Sequence, residues 1–219
     1  MEWASGNAGY AMTGVPKTAD DYPTFQFANG KTGKCLSLVT RSTGFFGSIM
    51  GMPIAAGNLF IGSFDVGNAM SNPLKATKFG LPFRHVPTKL QGHYKSKARH
   101  QSTEGGKPVS GKRAICDIYA IMYETSESVP TLDGTNAFTS PNLVSIARID
   151  DAKETDEWTY FKLPFHMLSG KYIDKEKLTA GKYNVAIVFT SSLEGDHFNG
   201  AIGSTLLIDE VELIYRSED

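Results

Sequence analysis

The 219-residue sequence has almost no excess of charge of either sign, since 22 Lys and Arg stand against 23 Asp and Glu. A nucleic-acid-binding domain usually neutralises phosphates with a basic surface, so this balance argues against a nucleic-acid partner. No apolar run approaches the roughly 18 to 20 residues that cross a bilayer as a helix. The first residues show neither the basic nor the apolar segment of a signal peptide. We therefore expect no transmembrane segment, and the sequence shows no secretion signal.

Cysteine is scarce, with only Cys35 and Cys116, and each lies within an apolar stretch. Their spacing matches no zinc-binding pattern, and no neighbouring residue supplies a base that would activate a thiolate nucleophile. Because free cysteine is among the residues most often buried, we expect both to be core residues without a disulfide essential to folding. A long-range disulfide is the alternative that the sequence leaves open.

Sustained helical periodicity is also missing, and the best helical candidate is the single turn at 174–178. Turn-forming stretches, among them 44–47, separate segments with the composition of β-strands. Eight such segments lie at 34–40, 57–64, 90–97, 114–124, 142–149, 157–165, 182–191 and 204–215. No linker divides the chain. The sequence predicts one all-β domain over residues 1–219, a two-sheet antiparallel β-sandwich or jelly roll with no helix longer than about three turns.

Alternation along three strands assigns their two faces. The residues expected in the core are Phe161, Leu163 and Phe165; Cys116, Ile118, Ala120 and Met122; and Tyr183, Val185, Ile187 and Phe189. The residues expected on the opposite faces are Trp158, Tyr160 and Lys162; Asp117, Tyr119 and Tyr123; and Asn184, Ala186, Val188 and Thr190. The last strand changes its alternation at Asp209 and Glu210, which predicts a β-bulge there.

Sequence motifs of the common enzyme classes are absent, including a glycine-rich phosphate loop, a His-Glu-x-x-His helix and a Gly-x-Ser-x-Gly elbow. Glycoside hydrolysis needs only two carboxylates at a fixed separation. Asp117 is the leading candidate, because it shares a strand face with Tyr119 and Tyr123. The other interpretation of Asp117 is a structural carboxylate held by hydrogen bonds.

Aromatic residues outside the predicted core suggest a binding surface. Sugars stack their C–H faces on aromatic rings while nearby polar groups pair with the hydroxyls. We therefore predict a carbohydrate-binding surface built on Trp158, Tyr119 and Asp117, with Tyr94 and His93 as weaker members. Whether Trp158 lies on the same side as Asp117 depends on the sheet that each strand joins, which the sequence leaves open. The alternative is that a second layer of loops buries these rings as ordinary packing.

An ordered set of short motifs is similar to one family. The motifs are WASGN at 3–7, AGNLFIG at 56–62, FGLPF at 79–83, LQGHYK at 90–95, DIYA at 117–120, WTYF at 158–161, TSS at 190–192 and GAIGS at 200–204. The chain resembles, from about Trp3 to Tyr215, the putative carbohydrate-metabolism domain (PCMD) of Bacteroidetes cell-envelope proteins. The resemblance implies a carbohydrate-binding-module-like jelly roll that is the C-terminal domain of a longer protein. It also implies an outer-membrane lipoprotein on the cell surface or the periplasmic face, with a possible neighbouring domain as partner.

The closing stretch at 207–213 is similar to the last strand of carbohydrate-binding jelly rolls, some of which hold a structural calcium ion there. This likeness implies Asp209 as a metal ligand, and calcium takes six to eight oxygen ligands. The function expected is non-catalytic glycan binding, with carbohydrate as the partner. One alternative is a glycoside hydrolase or related enzyme that uses Asp117, and another is a structural or adhesive module.

Overall fold

The structure, a computed structural model, describes residues 2–104, 107–111 and 113–216. Its strands are β1 (Trp3–Ala4), β2 (Thr24–Phe27), β3 (Cys35–Val39), β4 (Arg41–Ser42), β5 (Ile54–Ala55), β6 (Asn58–Phe64), β7 (Thr77–Phe79), β8 (Leu81–Pro82), β9 (Val86–Lys97), β10 (Gln101–Glu104), β11 (Lys107–Ser110), β12 (Asp117–Glu124), β13 (Leu143–Arg148), β14 (Thr155–Pro164), β15 (His166–Met167), β16 (Tyr183–Thr190) and β17 (Thr205–Arg216). The α-helices are α1 (Asn7–Ala11), α2 (Gly44–Ile49), α3 (Pro73–Ala76) and α4 (Lys175–Thr179), and 3-10 turns lie at Ala19–Asp21, Val66–Asn68 and Gly195–His197.

Two antiparallel sheets form the sandwich. Sheet A has the order β1-β6-β16-β12-β13-β15, with β7 beside β6 and β8 beside β16. Sheet B has the order β14-β9-β17-β3-β2. The predicted all-β, two-sheet antiparallel fold is therefore confirmed. Each of the eight predicted segments coincides with or overlaps one strand of five or more residues; β9 and β14 begin before their predicted segments, and β17 ends one residue after its own. The strands that the sequence did not indicate are two to four residues long.

The helices are short, as predicted: the longest in the described ranges is α2, with six residues. None of the helices in that part of the chain is both long and apolar enough to cross a bilayer. The predicted helical turn at 174–178 is confirmed as α4, where the Asp174 side chain accepts a hydrogen bond from the Lys177 N–H.

The prediction of a plain turn at 44–47 is wrong, because these residues begin α2. Two glycines in six residues give this segment little intrinsic helix propensity, and tertiary contacts compensate. The Thr43 hydroxyl donates a hydrogen bond to the Met52 carbonyl, and a Cβ at Gly47 would lie only 2.3 Å from Thr43. Close packing of this kind is not visible in a sequence pattern.

The core between the sheets contains the residues that alternation assigned to it, and only Phe165 is half-buried at its edge. Cys35 and Cys116 are both buried and unpaired, as predicted. Burial raises the pKa of the Cys116 thiol to about 11. The predicted β-bulge is also confirmed, since the register of β17 against β9 shifts between Asp209 and Glu212, and Glu210 has a φ of +50°.

The prediction that Tyr94 belongs to a carbohydrate-binding surface is wrong. Its ring lies in the core, only 3% exposed, with its centroid 6.3 Å from that of Phe161. The inward-facing residues of β9 include Gly92 and Ser96, so hydrophobicity alone does not mark this face. Gly92 is required opposite Phe161, because a Cβ there would lie 2.9 Å from the ring. Tyr94 therefore cannot offer its ring to a ligand on the surface.

A second hydrophobic layer covers the outer face of sheet A. The buried residues of this layer include Phe60, Tyr119, Ile121, Tyr123 and Val188 from the sheet, and Leu132 and Ala137 from the loop after β12. The Tyr123 hydroxyl donates to the Phe79 carbonyl and accepts from the Asn184 amide at 3.0 Å. Covering loops thus bury most of the side chains that alternation placed outside the inter-sheet core.

Candidate functional site

A cleft of about 220 Å³ opens between sheet A and its covering layer. Side chains of β6, β16, β12 and β13 form its base: Phe60, Val188, Tyr119 and Arg148. Residues from α1, α2 and α3 and from the segments 134–138 and 193–198 form its walls. We call this concavity the sheet A cleft.

A buried ion pair lies at the base of the sheet A cleft. Asp117 begins β12, and Arg148 ends the neighbouring strand β13, opposite Tyr119. The Arg148 Nε lies 3.2 and 3.0 Å from the two carboxylate oxygens of Asp117, and its Nη2 lies 2.6 Å from Oδ2. Asp117 is only 3% exposed, whereas the Arg148 side chain is 35% exposed. The register of the two strands therefore fixes a charged pair that reaches the cleft through its guanidinium.

Burial raises the pKa of Asp117, and the hydrogen bonds and charge of Arg148 oppose that rise. The charge of Asp196, a second carboxylate that lines the cleft, raises it further. Asp196 lies 2.8 Å from the Nδ1 of His197. Burial, followed by the charges of Asp117 and Asp196, also raises the pKa of Tyr119. The cleft thus combines the carboxylate of Asp117, which Arg148 holds in place, with the more accessible carboxylate of Asp196.

Aromatic rings flank the ion pair. The guanidinium carbon of Arg148 lies 4.3 Å from the ring centroid of Phe138 and 5.7 Å from that of Tyr119. Those two rings are 4.8 Å apart. Phe138 is 40% exposed, and Phe46, across the cleft on α2, is 51% exposed. The result is an apolar cavity with accessible rings and one planar, hydrogen-bonding group, which is the usual composition of a small-ligand site.

Residues 1–214 match the family described as "Putative carbohydrate metabolism domain". The chain belongs to this family. A search of curated proteins finds no match. The family assignment confirms the resemblance and relates the chain to carbohydrate metabolism.

Two solved structures are close relatives of this family member. One, from Bacteroides thetaiotaomicron VPI-5482, is described as a putative glycoside hydrolase; it is 96% identical, with a TM-score of 0.98, over 100% of this chain and 64% of that one. The present chain thus spans less than two thirds of that relative's length. The other, from Bacteroides vulgatus ATCC 8482 and described in the same words, is 50% identical, with a TM-score of 0.93, over 98% of this chain and 85% of that one.

The five ligand-binding residues predicted from the sequence do not lie together. Asp117 and Tyr119 line the sheet A cleft. Trp158 on β14 and His93 on β9 belong to sheet B, where they point away from the core, and Tyr94 is inside the core. Sheets A and B face each other through the core, so their outer faces are on opposite sides of the domain. One ligand site therefore cannot contain both Asp117 and Tyr119, on sheet A, and Trp158 and His93, on sheet B.

Three residues of the cleft were missed by sequence reasoning: Arg148, Phe138 and Asp196. Arg148 did carry a signal, because it ends a mostly apolar strand, where a charged side chain requires a partner if it is to be buried. Phe138 and Asp196 lie in loops, where no periodicity links a residue to a site. Their positions follow from the tertiary structure alone.

Asp209, the predicted calcium ligand, lies far from the cleft, on the bulge in sheet B. Its Oδ2 accepts hydrogen bonds from the backbone N–H groups of Lys31 at 2.7 Å and Thr32 at 3.1 Å, and its Oδ1 accepts one from Glu210 at 2.8 Å. The Lys31 ammonium lies 2.8 Å from the Glu210 carboxylate. Among the described residues no three His, Cys, Asp or Glu side chains are grouped as metal ligands. Backbone N–H donors and an ammonium thus lie against these two carboxylates, whereas a calcium ion needs oxygen ligands. This arrangement does not fit a calcium ion. Calcium binding stays a prediction.

Proposed function

We propose that this domain binds a glycan in the sheet A cleft without cleaving it. The observation that carries the proposal is the fixed Asp117–Arg148 pair with the accessible ring of Phe138 stacked on its guanidinium. A sugar can place a C–H face on such a ring and its hydroxyls against the guanidinium and the Asp196 carboxylate. Because the ion pair holds Arg148 in place, little side-chain freedom is lost when a ligand binds.

The ion pair also favours binding over hydrolysis. A glycosidase needs one carboxylic acid that gives its proton to the leaving oxygen and a second carboxylate across the sugar. Both oxygens of Asp117 accept hydrogen bonds from Arg148, which stabilises the ionised form and so opposes the transfer of a proton to a leaving group. We therefore assign Asp117 the role of orienting Arg148.

Hydrolysis is the second candidate function, and one observation favours it. Asp196 lines the same cleft as Asp117, so two carboxylates border one cavity. Burial raises the pKa of Asp117, as a general acid requires. In that mechanism Asp117 would donate the proton after Arg148 moves away, and Asp196 would act as the base or nucleophile.

We also propose that the domain works in a cell-envelope protein, as the C-terminal domain of an outer-membrane lipoprotein. The greater length of the 96% identical relative, of which this chain covers 64%, supports a place within a longer protein; the envelope location is our proposal from the family resemblance. Localisation of the full-length protein by membrane fractionation and surface proteolysis tests it, and recovery in the cytosolic fraction would contradict it.

A glycan array followed by calorimetric titration tests the binding proposal. Phe138→Ala should weaken binding of an array hit by about tenfold or more, by analogy with aromatic hot spots. The matched control is Phe45→Ala, because Phe45 is 84% exposed on α2 and does not line the cleft. Equal affinity of wild type and Phe138→Ala, or an array without hits, would contradict the proposal.

The same hits, incubated with the domain and assayed for reducing ends, separate binding from hydrolysis. We expect no release of reducing sugar. Release of reducing sugar by the wild type that Asp196→Asn abolishes, while the variant stays folded, would replace the binding proposal by the hydrolase.

A further inference from the structure

We infer that the outer face of sheet B carries a second carbohydrate-contact surface, which takes an extended polysaccharide chain. Its members are Trp158 and Tyr160 on β14 and His93 on the adjacent strand β9. We call this set the aromatic strip. The strip lies on the side of the domain opposite to the sheet A cleft, so a sugar bound in the cleft does not contact it.

The strand register fixes the direction of these side chains. Thr159 pairs with Tyr94, Tyr160 with His93 and Phe161 with Gly92. Phe161 and Tyr94 are buried in the core. Successive residues of a strand point to opposite faces, and hence Tyr160 and His93 point outward as neighbours. Trp158 points the same way, because its ring lies 5.3 Å from the ammonium of the outward-facing Lys95.

Contacts with neighbouring side chains hold the exposed ring of Tyr160 and the half-buried ring of His93 in place. Tyr160 is 52% exposed, yet its hydroxyl donates a 3.0 Å hydrogen bond to the Gln91 side chain. Its ring centroid lies 5.4 Å from that of His93. The His93 Nδ1 in turn lies 3.2 Å from a carboxylate oxygen of Glu210 on the bulge. A fixed, exposed ring does little for folding, but it suits binding, because less conformational entropy is lost on contact.

The surroundings of the strip favour a sugar chain over a protein partner. Hydrogen-bonding side chains of both charges surround the rings, and Gln91 and Glu212 are linked by a 2.7 Å hydrogen bond. Protein interfaces are depleted of charged residues at their centre, whereas sugar hydroxyls pair readily with such groups. Rings two residues apart on one face of a strand are separated by about 7 Å. A chain that lies along β14 can therefore contact both Trp158 and Tyr160, while a single sugar contacts only one.

Affinity electrophoresis in gels that contain soluble polysaccharides, neutral and anionic in separate gels, tests the inference. Wild type should be retarded by at least one of them, and Tyr160→Ala should lose at least fivefold in affinity for it. Tyr160→Phe keeps the ring and should retain most of the binding. Tyr172→Ala is the matched control, because Tyr172 is 72% exposed in the loop before α4.

Thermal melts of all variants establish that each is folded. Phe138→Ala, which alters only the cleft, should leave retardation by a strip-bound polysaccharide unchanged, so the two sites can fail independently. The inference is overturned if no polysaccharide retards the wild type or if Tyr160→Ala is retarded as strongly as Tyr172→Ala. It is equally overturned if Tyr160→Ala changes only the self-association measured by sedimentation, which would make the strip a protein interface.

Discussion

Removal of the Arg148 guanidinium should leave Asp117 as a buried carboxylate without its partner. Arg148→Met makes this change and keeps an apolar stem of similar length on β13. Burial already raises the pKa of Asp117, and Arg148 is the main group that opposes the rise. We therefore expect the pKa of Asp117 to rise further in the variant and the folded state to lose stability.

The magnitude follows from the exposure of the two partners. Breaking a buried ion pair by removing one partner costs about 3–5 kcal/mol. Asp117 is 3% exposed, but the Arg148 side chain is 35% exposed, so water already screens part of the attraction. We expect about 3 kcal/mol from the pair. The lost contact between the guanidinium and Phe138 adds about 0.5 kcal/mol, as expected for a partly exposed site.

The loss should depend on pH in a defined direction. The pKa of folded Asp117 lies above its unfolded value, so the folded state binds the proton more tightly. The contribution of Asp117 to stability is then fully present below its pKa in the unfolded chain, which is about 4. It is lost as the pH rises through the folded pKa. Because Arg148→Met enlarges the pKa difference, the gap in unfolding free energy from wild type should be widest at pH 7 and narrow towards pH 4.

Urea unfolding followed by tryptophan fluorescence, at neutral pH and near the unfolded pKa, measures this gap. The control is the double variant Asp117→Asn/Arg148→Met, which removes both charges and should recover part of the lost stability. Equal urea midpoints for wild type and Arg148→Met at neutral pH would refute the reasoning. A gap that does not change with pH would do the same, since it would show that the carboxylate charge is not the cause.

Three further expectations concern the core, the thiols and the bulge. Phe161→Ala should lower the free energy of unfolding by about 3–5 kcal/mol, because Phe161 is 4% exposed; an unchanged urea midpoint would contradict its place in the core. Cys35 and Cys116 should react with a thiol reagent at pH 8 only after denaturation, since burial raises both thiol pKa values, and reductant alone should leave the melting temperature unchanged. Asp209→Ala should lower the free energy of unfolding by about 2 kcal/mol, because three backbone N–H groups lose a charged acceptor. A urea midpoint equal to that of wild type would contradict this. A melting temperature of wild type that is equal in calcium and in chelator would count against the predicted metal site.

The long strands could be read from the sequence because their evidence is local. Residues 157–165 and 182–191 alternate over at least eight positions, which is enough to indicate both a strand and its inward face. Short strands such as β4 and β5 contain two residues each and show no period. They exist because neighbouring backbone groups pair with them in the folded chain. The helix α2 was missed for the same reason, since contacts with Thr43 rather than its own propensity stabilise it.

Part of the cleft was also accessible to sequence reasoning. Asp117 and Tyr119 are two positions apart on one strand, and this spacing alone puts them on one face. Outside the cleft, the bulge at Asp209 was predicted in the same way, from a change of alternation within a single segment. The hydrogen bonds that this carboxylate accepts from Lys31 and Thr32 could not be predicted, because these two donors are 178 and 177 residues away along the chain.

What the sequence determined by itself, then, is the fold class, the inward faces of β12, β14 and β16 and the pairs of residues that share one strand face. Only the tertiary structure decided which strands are neighbours and on which side of the sandwich each face lies. It placed Arg148 beside Asp117, brought Phe138 from a loop onto that pair, and separated Trp158 from Tyr119 by the thickness of the core. The physical reason is that side-chain alternation is a property of one strand, whereas a binding site depends on pairing between strands and on covering loops, which are set by the packing of the whole chain.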